Sequence, residues 1–306
     1  MITPDPITKT FNVFSGSKTG DITTTTTTRT LQPTECLVRI THSGLCGTDT
    51  YAKNICQGLG HEGVGVIESL GSSVPKSAFT PGDRVGWGYV HSTCDNCTSC
   101  LKGEDAFCHQ RKMYQGANLD QGSLAEFGCW EWKYLFKIPD AISSADAAPL
   151  QCGGATVFTP LFTQGVLPTD VVGIVGIGGL GHLAVQFAKK MGCRVVVFSG
   201  TESKREESIR LGADRFYVMS ELKKGARVAP EDKVNHLLVT ASRQPDWEMC
   251  FKFLEFEASV YPLGISAEDL KIPYTPLLAM GLRVVGSCVA SRRVQYVCQF
   301  WVESGG

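Results

Sequence analysis

The sequence predicts an α/β protein whose C-terminal half is a doubly wound parallel sheet. Three observations support this. A short apolar run, Val171 to Val175, breaks at Gly176-Ile-Gly-Gly-Leu-Gly181 and continues as a helical pattern with apolar residues four apart. Further buried-strand patterns recur at residues 193–199, 236–240, 259–263 and 282–286. Helical stretches such as 206–212 separate them, which favours parallel strands joined by right-handed crossovers.

The glycine-rich turn, residues 176–181, fits a dinucleotide site. In the order strand, G-x-G-x-x-G, helix, the first glycine makes a tight turn and the second lets the backbone approach a pyrophosphate. The third allows close helix–strand packing, and the helix N-terminus offers N–H groups to the phosphate. The candidate cofactor-binding residues here are Gly176, Gly178, Gly179, Leu180 and Gly181. On the motif alone, a buried strand–helix corner without a ligand remains the alternative.

Length and charge limit the classes of protein. A chain of 306 residues suggests two domains. A formal charge of −1 gives no electrostatic reason to expect nucleic acid or an anionic membrane as a partner. Residues 1–12 are polar, without a charged-then-apolar leader, and the uncharged stretch 171–188 contains glycines and His182. We therefore expect a soluble, cytoplasmic protein.

The N-terminal region is rich in β-prone residues. The six threonines at 23–28 predict an edge strand or a hairpin arm, because threonine is β-branched. A low-complexity run that forms a flexible loop is the alternative. Residues 36–41 (CLVRIT) predict a β-strand more clearly than the threonine run does.

Cysteine spacing gives the strongest single signal. Of thirteen cysteines, four follow the pattern Cys94-x2-Cys97-x2-Cys100-x7-Cys108. Four thiolates within one short polar segment favour a structural zinc site with closed tetrahedral coordination. Disulfides or an iron–sulfur cluster would use similar spacing. The lack of a secretory leader disfavours disulfides, and nothing in the chain suggests the redox partners of a cluster.

A second set of soft ligands is spread along the first half of the chain. Cys46 lies in GLCGTD and His61 in GHEGVG. A catalytic zinc needs three protein ligands and an open position, and Cys152 is the candidate third ligand. A buried thiol or a satisfied core histidine is the alternative for any one of them.

The end of the second predicted β-strand bears on the choice of dinucleotide. NAD-binding folds place a carboxylate there for the ribose 2′-hydroxyl, but this strand ends at Ser199, followed by Thr201 and Lys204. A serine does not repel a 2′-phosphate, and Lys204 with Arg205 can pair with one. NADP(H) is therefore expected in preference to NAD(H), although Glu202 keeps NAD(H) open.

Taken in order, these pieces resemble the zinc-dependent medium-chain alcohol dehydrogenases, especially their cinnamyl and fungal alcohol dehydrogenase branches. The matching segments are GLCGTD, GHEGVGVIESLG, the turn at 81–85, the four-cysteine lobe, the Cys152 segment and GIGGLGH. They run in the family's order from about residue 30 to the end. The resemblance implies a GroES-like, mostly-β catalytic domain, a Rossmann domain and an active site in the cleft between them. The expected ranges are 1–155, with a structural-zinc lobe at about 90–110, then 156–288, then 289–306 as a remnant of the return to the catalytic domain.

The resemblance also implies roles for individual residues. Two zinc ions per chain are expected: a catalytic one held by Cys46, His61 and Cys152, and a structural one held by the four clustered cysteines. Hydride would pass between NADP(H) and an alcohol/aldehyde pair, in a homodimer. The remaining expected site residues are Thr48 as proton relay, Asp49 and Glu62 beside the metal, and Thr156, Gly286 and Ser287 near the nicotinamide.

Tyr51 stands where many relatives carry a relay histidine, so a tyrosine hydroxyl or water would serve in the outer part of the proton relay. Two further departures from the family pattern support an alternative. The link from Cys46 to His61 is short and contains Cys56. Relatives also continue for some tens of residues beyond position 306. A catalytically silent zinc- and NADP(H)-binding protein, with a scaffold or regulatory role, is therefore the second hypothesis. The substrate is not identified, and Tyr89 and His91 are candidate pocket residues only.

Overall fold

The computed structural model describes residues 6–303. These residues form two compact units. The first comprises the chain up to Ala155 together with the segment from Ala290 onwards, and the second comprises Thr156–Val289. Across residues 6–303, no helix combines the length and the apolar character that crossing a membrane requires.

The first unit is built mainly from antiparallel strands. A hairpin of β1 and β2 stands beside a five-stranded sheet of order β8-β3-β4-β5-β9, and β6 pairs with β7. The strands are β1 Thr8–Ser15, β2 Thr23–Thr30, β3 Glu35–Ser43, β4 Gly63–Leu70, β5 Arg84–Trp87, β6 Val90–Ser92, β7 Lys112–Met113, β8 Phe127–Glu131 and β9 Phe136–Lys137. The helices are α1 Asp49–Ala52, α2 Thr98–Leu101, α3 Ser144–Pro149 and, after the second unit, the return helix α10 Arg292–Glu303; a π-helical turn covers Leu150–Gly154.

The threonine run forms the hairpin arm β2, so the strand prediction is confirmed and the flexible loop is wrong. Its backbone pairs with β1 along the whole strand, from Thr8 opposite Thr30 to Ser15 opposite Thr23. Hydroxyls pair across the hairpin, as between Thr10 and Thr28 at 2.8 Å. The predicted strand at 36–41 is β3, which pairs with β8 on one side and β4 on the other and contributes Cys36 and Val38 to the apolar core.

The second unit is a six-stranded parallel sheet of order β12-β11-β10-β13-β14-β15, flanked by helices. The strands are β10 Val171–Val175, β11 Arg194–Ser199, β12 Arg215–Val218, β13 Val234–Val239, β14 Leu254–Pro262 and β15 Arg283–Val284. The helices are α4 Ala155–Thr163, α5 Gly179–Lys190, α6 Arg205–Leu211, α7 Met219–Lys223, α8 Trp247–Phe251 and α9 Tyr274–Ala279. The central strands are near-continuous Val, Ile and Leu runs, because helices cover both faces of such a sheet.

Every strand predicted in this half is present, with shifts of a few residues at its ends. β14 is longer than expected because Glu257, at φ +60°, bulges within it. The helix predicted to end at glycine does so, and Gly212 adopts the left-handed conformation with φ +116°. The strand order is that of a doubly wound Rossmann sheet, so the predicted fold class of this half is confirmed.

Candidate active site

Four candidate metal-binding side chains of the first unit come together. One ligand atom from each of Cys46, His61, Glu62 and Cys152 lies within 4.8 Å of all the others; we call this group the His61 cluster. Cys46 follows β3 and His61 precedes β4, and these strands pair antiparallel with Ser43 opposite Gly63. The pairing brings the end of β3 and the start of β4 to the same place. Cys152 joins them from the π-helical turn.

His61 is fully buried, and its contacts settle which ring nitrogen faces the other ligands. Its Nδ1 lies 3.2 Å from Oδ1 of Asp49, so Nδ1–H donates to the carboxylate. The same oxygen accepts a hydrogen bond of 2.9 Å from the hydroxyl of Tyr114, which itself accepts from the N–H of Gly60 at 3.0 Å. The Nε2 atom is buried without a hydrogen-bond partner. Its lone pair is therefore available to a metal ion.

Aromatic rings fix the plane of the His61 imidazole. The ring of Tyr114 packs over it with centroids 4.6 Å apart, and the ring of Tyr89 meets it edge-on at 5.4 Å. Tyr89 therefore contacts a candidate ligand. His91, the other predicted pocket candidate, is buried against Trp130 and pairs through Nδ1 with the amide of Asn118, 3.2 Å away.

The electrostatics of the His61 cluster favour a bound cation. A hydrogen bond from Cys152 and the neighbouring His61 lower the pKa of Cys46 to about 4, against the opposing effect of burial. Burial disfavours protonation of His61, but the hydrogen bond to Asp49 and the negative charges of Asp49 and Cys46 outweigh it and raise the pKa of His61 to about 9. Burial and the Cys46 thiolate raise the pKa of Glu62 to about 8. The buried Cys46 thiolate is thus stabilised by a positive charge beside it, which the His61 proton supplies and which a metal ion would supply in its place.

The donor set also fits zinc. Two thiols and an imidazole are ligands that zinc accepts, at about 2.0–2.3 Å from the metal, which places tetrahedral ligand atoms about 3.5–3.8 Å from one another. The observed upper limit of 4.8 Å is compatible with closure onto one ion. Together with the unpartnered Nε2 of His61, this chemistry makes the cluster suitable for a zinc ion.

Other predicted residues lie close to these ligands. The Thr48 hydroxyl is 3.6 Å from the Cys46 sulfur, and Asp49 also accepts a hydrogen bond of 3.0 Å from the N–H of Cys46. Glu62 accepts a hydrogen bond of 3.2 Å from the N–H of Gly153. Cys56 is exposed and lies outside the His61 cluster, and Tyr51 is 55% exposed.

The other four predicted ligands form a second group, the four-thiol cluster, from Cys94, Cys97, Cys100 and Cys108. Sulfur–sulfur distances are 3.5 Å from Cys94 to Cys108, 4.0 Å from Cys94 to Cys100 and 3.6 Å from Cys97 to Cys100. Four sulfurs at about 2.3 Å from a tetrahedral zinc would be about 3.8 Å apart. A disulfide requires about 2.05 Å, and none of these cysteines forms one. The cluster therefore fits a closed metal site.

In the second unit, the glycine turn has the conformation that the fingerprint requires. Gly176 adopts φ +92°, and a Cβ on Gly181 would lie only 1.9 Å from the carbonyl oxygen of Gly176. Gly178 and Gly179, at the start of α5, have open space where a Cβ would stand. The backbone is thus bare where a phosphate would approach.

The region after β11 contains the residues expected to choose the dinucleotide. Ser199 is buried at the end of β11, where its neighbour Phe198 accepts a hydrogen bond from the N–H of Gly176. The carboxylate of Glu202 pairs with Arg205, and Lys204 pairs with Glu207 at 2.8 Å. The N–H of Thr201 donates to the Ser199 hydroxyl at 3.4 Å.

The remaining predicted cofactor residues lie at ends of elements in this unit. Thr156 is buried in the first turn of α4. Gly286 and Ser287 follow β15, and the Ser287 hydroxyl is buried without a hydrogen-bond partner.

Sequence reasoning missed three residues that support these sites. Tyr114 orients Asp49, Gln151 packs beside Cys152, and the Thr240 hydroxyl donates to the carbonyl oxygen of Gly176 at 2.7 Å. No motif contains Tyr114 or Thr240, because each meets its partner from a distant part of the chain. Position next to a predicted ligand was the only available signal, and it applied to Gln151 alone.

Comparison with known proteins agrees with this arrangement. Residues 32–140 match the alcohol dehydrogenase GroES-like domain, and residues 179–303 match the zinc-binding dehydrogenase family. An alcohol dehydrogenase from Geobacillus stearothermophilus is 36% identical over 281 residues, covering 88% of this chain and 82% of the relative. Cinnamyl alcohol dehydrogenase 7 from Arabidopsis thaliana is 36% identical over 268 residues, covering 82% of this chain and 73% of the relative.

Among solved structures, a cinnamyl alcohol dehydrogenase from Sorghum bicolor superposes with a TM-score of 0.88 at 27% identity, covering 97% of this chain and 88% of that one. The fold class predicted for both halves, a GroES-like domain and a Rossmann domain, is thereby confirmed. The chain belongs to the zinc-dependent alcohol dehydrogenase family of medium-chain dehydrogenases/reductases.

Proposed function

We propose that this protein is a zinc-dependent alcohol dehydrogenase or aldehyde reductase that transfers hydride between NADP(H) and an alcohol/aldehyde pair. The observation that carries the proposal is the His61 cluster, in which two thiols and an unpartnered imidazole nitrogen lie within 4.8 Å of one another. Cys46, His61 and Cys152 would hold a catalytic zinc, and the four-thiol cluster a structural one. The two units would correspond to the catalytic and cofactor domains.

A zinc ion at the His61 cluster would lower the pKa of an alcohol or polarise a carbonyl. The chain's own residues then have separate tasks. Asp49 fixes the Nδ1–H tautomer of His61. Thr48 is buried beside the Cys46 sulfur, so its hydroxyl is placed to relay a proton: it would take up the proton that an alcohol loses while passing its own proton on to water, with the reverse transfer when an aldehyde is reduced. Glu62, anchored by the Gly153 N–H, holds a carboxyl oxygen close to the other candidate ligands.

Ser199 and its neighbours support NADP(H) over NAD(H). No carboxylate ends β11, and the carboxylate of Glu202 is already engaged by Arg205. A 2′-phosphate arriving beside Ser199 would meet Lys204 and Arg205, and it would compete for them with the exposed carboxylates of Glu207 and Glu202. A cytoplasmic location and a homodimeric assembly remain predictions.

The experiment compares two cysteines of one short segment. Cys46→Ser removes a candidate ligand, whereas Cys56→Ser changes an exposed cysteine outside the His61 cluster. Zinc-loaded protein is assayed for NADPH oxidation with a panel of aromatic and aliphatic aldehydes, and metal content per chain is measured in parallel. We expect Cys46→Ser to lower kcat/KM by about 100-fold or more and to lose one metal, and Cys56→Ser to match the wild type.

Wild-type protein that contains two zincs and binds NADPH, yet turns over no aldehyde, would instead support the catalytically silent alternative. Equal activity of Cys46→Ser and the wild type would overturn the assignment of the metal ligand.

A further inference from the structure

Three buried glutamines meet next to Cys152. Gln151 directly precedes this candidate ligand, and it is 2% exposed. Gln295 and Gln299 lie four residues apart on the return helix α10, on one face, and are 5% and 6% exposed. All three belong to the first unit. Buried amides are costly unless hydrogen-bonded, so their partners matter.

The side chain of Gln151 is held from two directions. Its Nε2 donates to the carbonyl oxygen of Ala147 at 3.0 Å. Its Oε1 accepts from Nε2 of Gln299 at 3.1 Å and from Nε2 of Gln295 at 3.3 Å. Both lone pairs of the amide oxygen are therefore used by the return helix.

On another side, strand β5 and the residues after it press against Gln151. A Cβ on Gly86 would lie 2.6 Å from Cδ of Gln151, and a Cβ on Gly88 would lie 2.2 Å from its backbone oxygen. The glycines let the strand approach this closely. Gln151 is thus clamped, and Cys152 is one peptide bond away.

The return helix is itself anchored at its first turn. The backbone N–H of Arg292 donates to Oδ1 of Asp105 at 2.9 Å, and its guanidinium binds the other oxygen of that buried carboxylate. The guanidinium also pairs with Asp95 at 2.7 Å and lies 5.2 Å from the ring centre of Tyr134. The helix therefore holds Gln295 and Gln299 at a fixed position.

We propose that Gln295 and Gln299 are positioning residues that hold Cys152, through Gln151, in the place from which its sulfur binds the catalytic metal. The inference rests on the proposed function, because it presumes a metal at the His61 cluster. With both donors removed, the amide oxygen of Gln151 is left buried without these two partners, which favours a shift of Gln151 and of the Cys152 that follows it. Loss of such supporting contacts typically weakens metal binding 10- to 100-fold.

The test compares Gln295→Met/Gln299→Met, which keeps side-chain length but removes both donors, with Tyr296→Leu on the same helix. Tyr296 is 69% exposed and serves as the matched control. The two single Gln→Met variants each retain one donor, which guards against a double variant that fails to fold. Zinc release to an excess of chelator is followed by a chromogenic zinc dye, with both clusters loaded. The visible spectrum of protein with cobalt at the His61 cluster is recorded as a second readout.

We expect the double variant to release one zinc 10- to 100-fold faster than the wild type, the single variants to be intermediate, and the second zinc to leave at the wild-type rate. The cobalt bands should shift in the double variant and not in Tyr296→Leu. Equal acceleration of both zincs, or release indistinguishable from Tyr296→Leu, would overturn the positioning role. A wild-type protein that binds no zinc at the His61 cluster would instead defeat the proposed function.

Discussion

Replacing Tyr114 with phenylalanine tests how the His61 cluster is organised. The Tyr114 hydroxyl is buried and joins two partners, donating to Oδ1 of Asp49 and accepting from the N–H of Gly60. Burial and the adjacent Asp49 raise the pKa of Tyr114, so its hydroxyl keeps its proton and remains a donor. Phenylalanine keeps the ring that packs on His61 and removes only the oxygen.

The expected cost follows from these two bonds. A hydrogen bond to a charged group contributes about 1.5–3 kcal/mol, and a buried N–H left without an acceptor costs about 1–3 kcal/mol. Tyr114→Phe should therefore lower the free energy of unfolding by about 2.5–6 kcal/mol. Asp49 would also hold His61 less firmly, and metal affinity at the His61 cluster should fall 10- to 100-fold.

The structure offers a matched control in the second unit. The Tyr217 hydroxyl likewise donates to a carboxylate, that of Asp232 at 2.6 Å, and accepts from the N–H of Ala229 at 3.1 Å. Tyr217→Phe should lower stability without changing zinc affinity. The assay combines urea unfolding with zinc competition against a chelator of known affinity, for both variants and the wild type.

The reasoning is refuted if Tyr114→Phe binds zinc within twofold of the wild type while losing stability. In that case Tyr114 contributes packing and hydrogen bonding to the fold, and Asp49 alone orients His61.

Four further predictions follow from separate contacts. Gly181→Ala should weaken NADPH binding at least tenfold in a titration, because the added Cβ would lie 1.9 Å from a backbone oxygen. Gly116→Ala has space for its Cβ and should leave NADPH affinity unchanged. Equal affinities of the two variants would contradict the role of the glycine turn. Ser199→Asp should lower the kcat/KM ratio of NADPH to NADH about 10- to 100-fold through charge repulsion, and an unchanged ratio would rule out this position as the selector. Cys97→Ser should reduce metal content from two per chain to one, as measured by elemental analysis, and retention of both would contradict the four-thiol cluster. Burial, together with the charges of His61 and Arg29, lowers the pKa of His91 to about 3, so between about pH 6.5 and pH 3 only the unfolded state binds this proton and stability decreases as the pH is lowered. In urea unfolding between pH 6 and 4.5, the wild type should lose up to about 1.4 kcal/mol of stability per pH unit more than His91→Phe. Parallel stability curves for the two proteins would refute this prediction.

Much of the fold could be predicted because its signals are local. Apolar runs of five to seven residues ended by turns predicted five of the six parallel strands of the second unit, all except the short β12, and the glycine turn fell where β10 meets α5. The ends of elements were less certain. The bulge at Glu257 lengthened β14, and no short sequence pattern announces it. The threonine run had two open readings, and backbone pairing with β1 decided between them.

The candidate metal ligands could be predicted from the sequence, but the residues that hold those ligands in place could not. Thiol and imidazole side chains are rare in this arrangement, so Cys46, His61 and Cys152 could be chosen from type and order along the chain. Tyr114, Gln295 and Gln299 could not, since tyrosine and glutamine occur throughout proteins without such roles.

By itself, the sequence determined which donor atoms this protein has and how they are ordered along the chain. Residue type and local spacing determine whether four thiols can bind one ion, and whether a turn has no side chains that would block the approach of a phosphate to its backbone. Only the tertiary structure decided that Tyr114 contacts Asp49, 65 residues earlier in the chain, and that Gln295 of the return helix contacts Gln151, 144 residues earlier. The physical reason is that such contacts arise from packing of remote segments, whose positions depend on the whole core and on no motif.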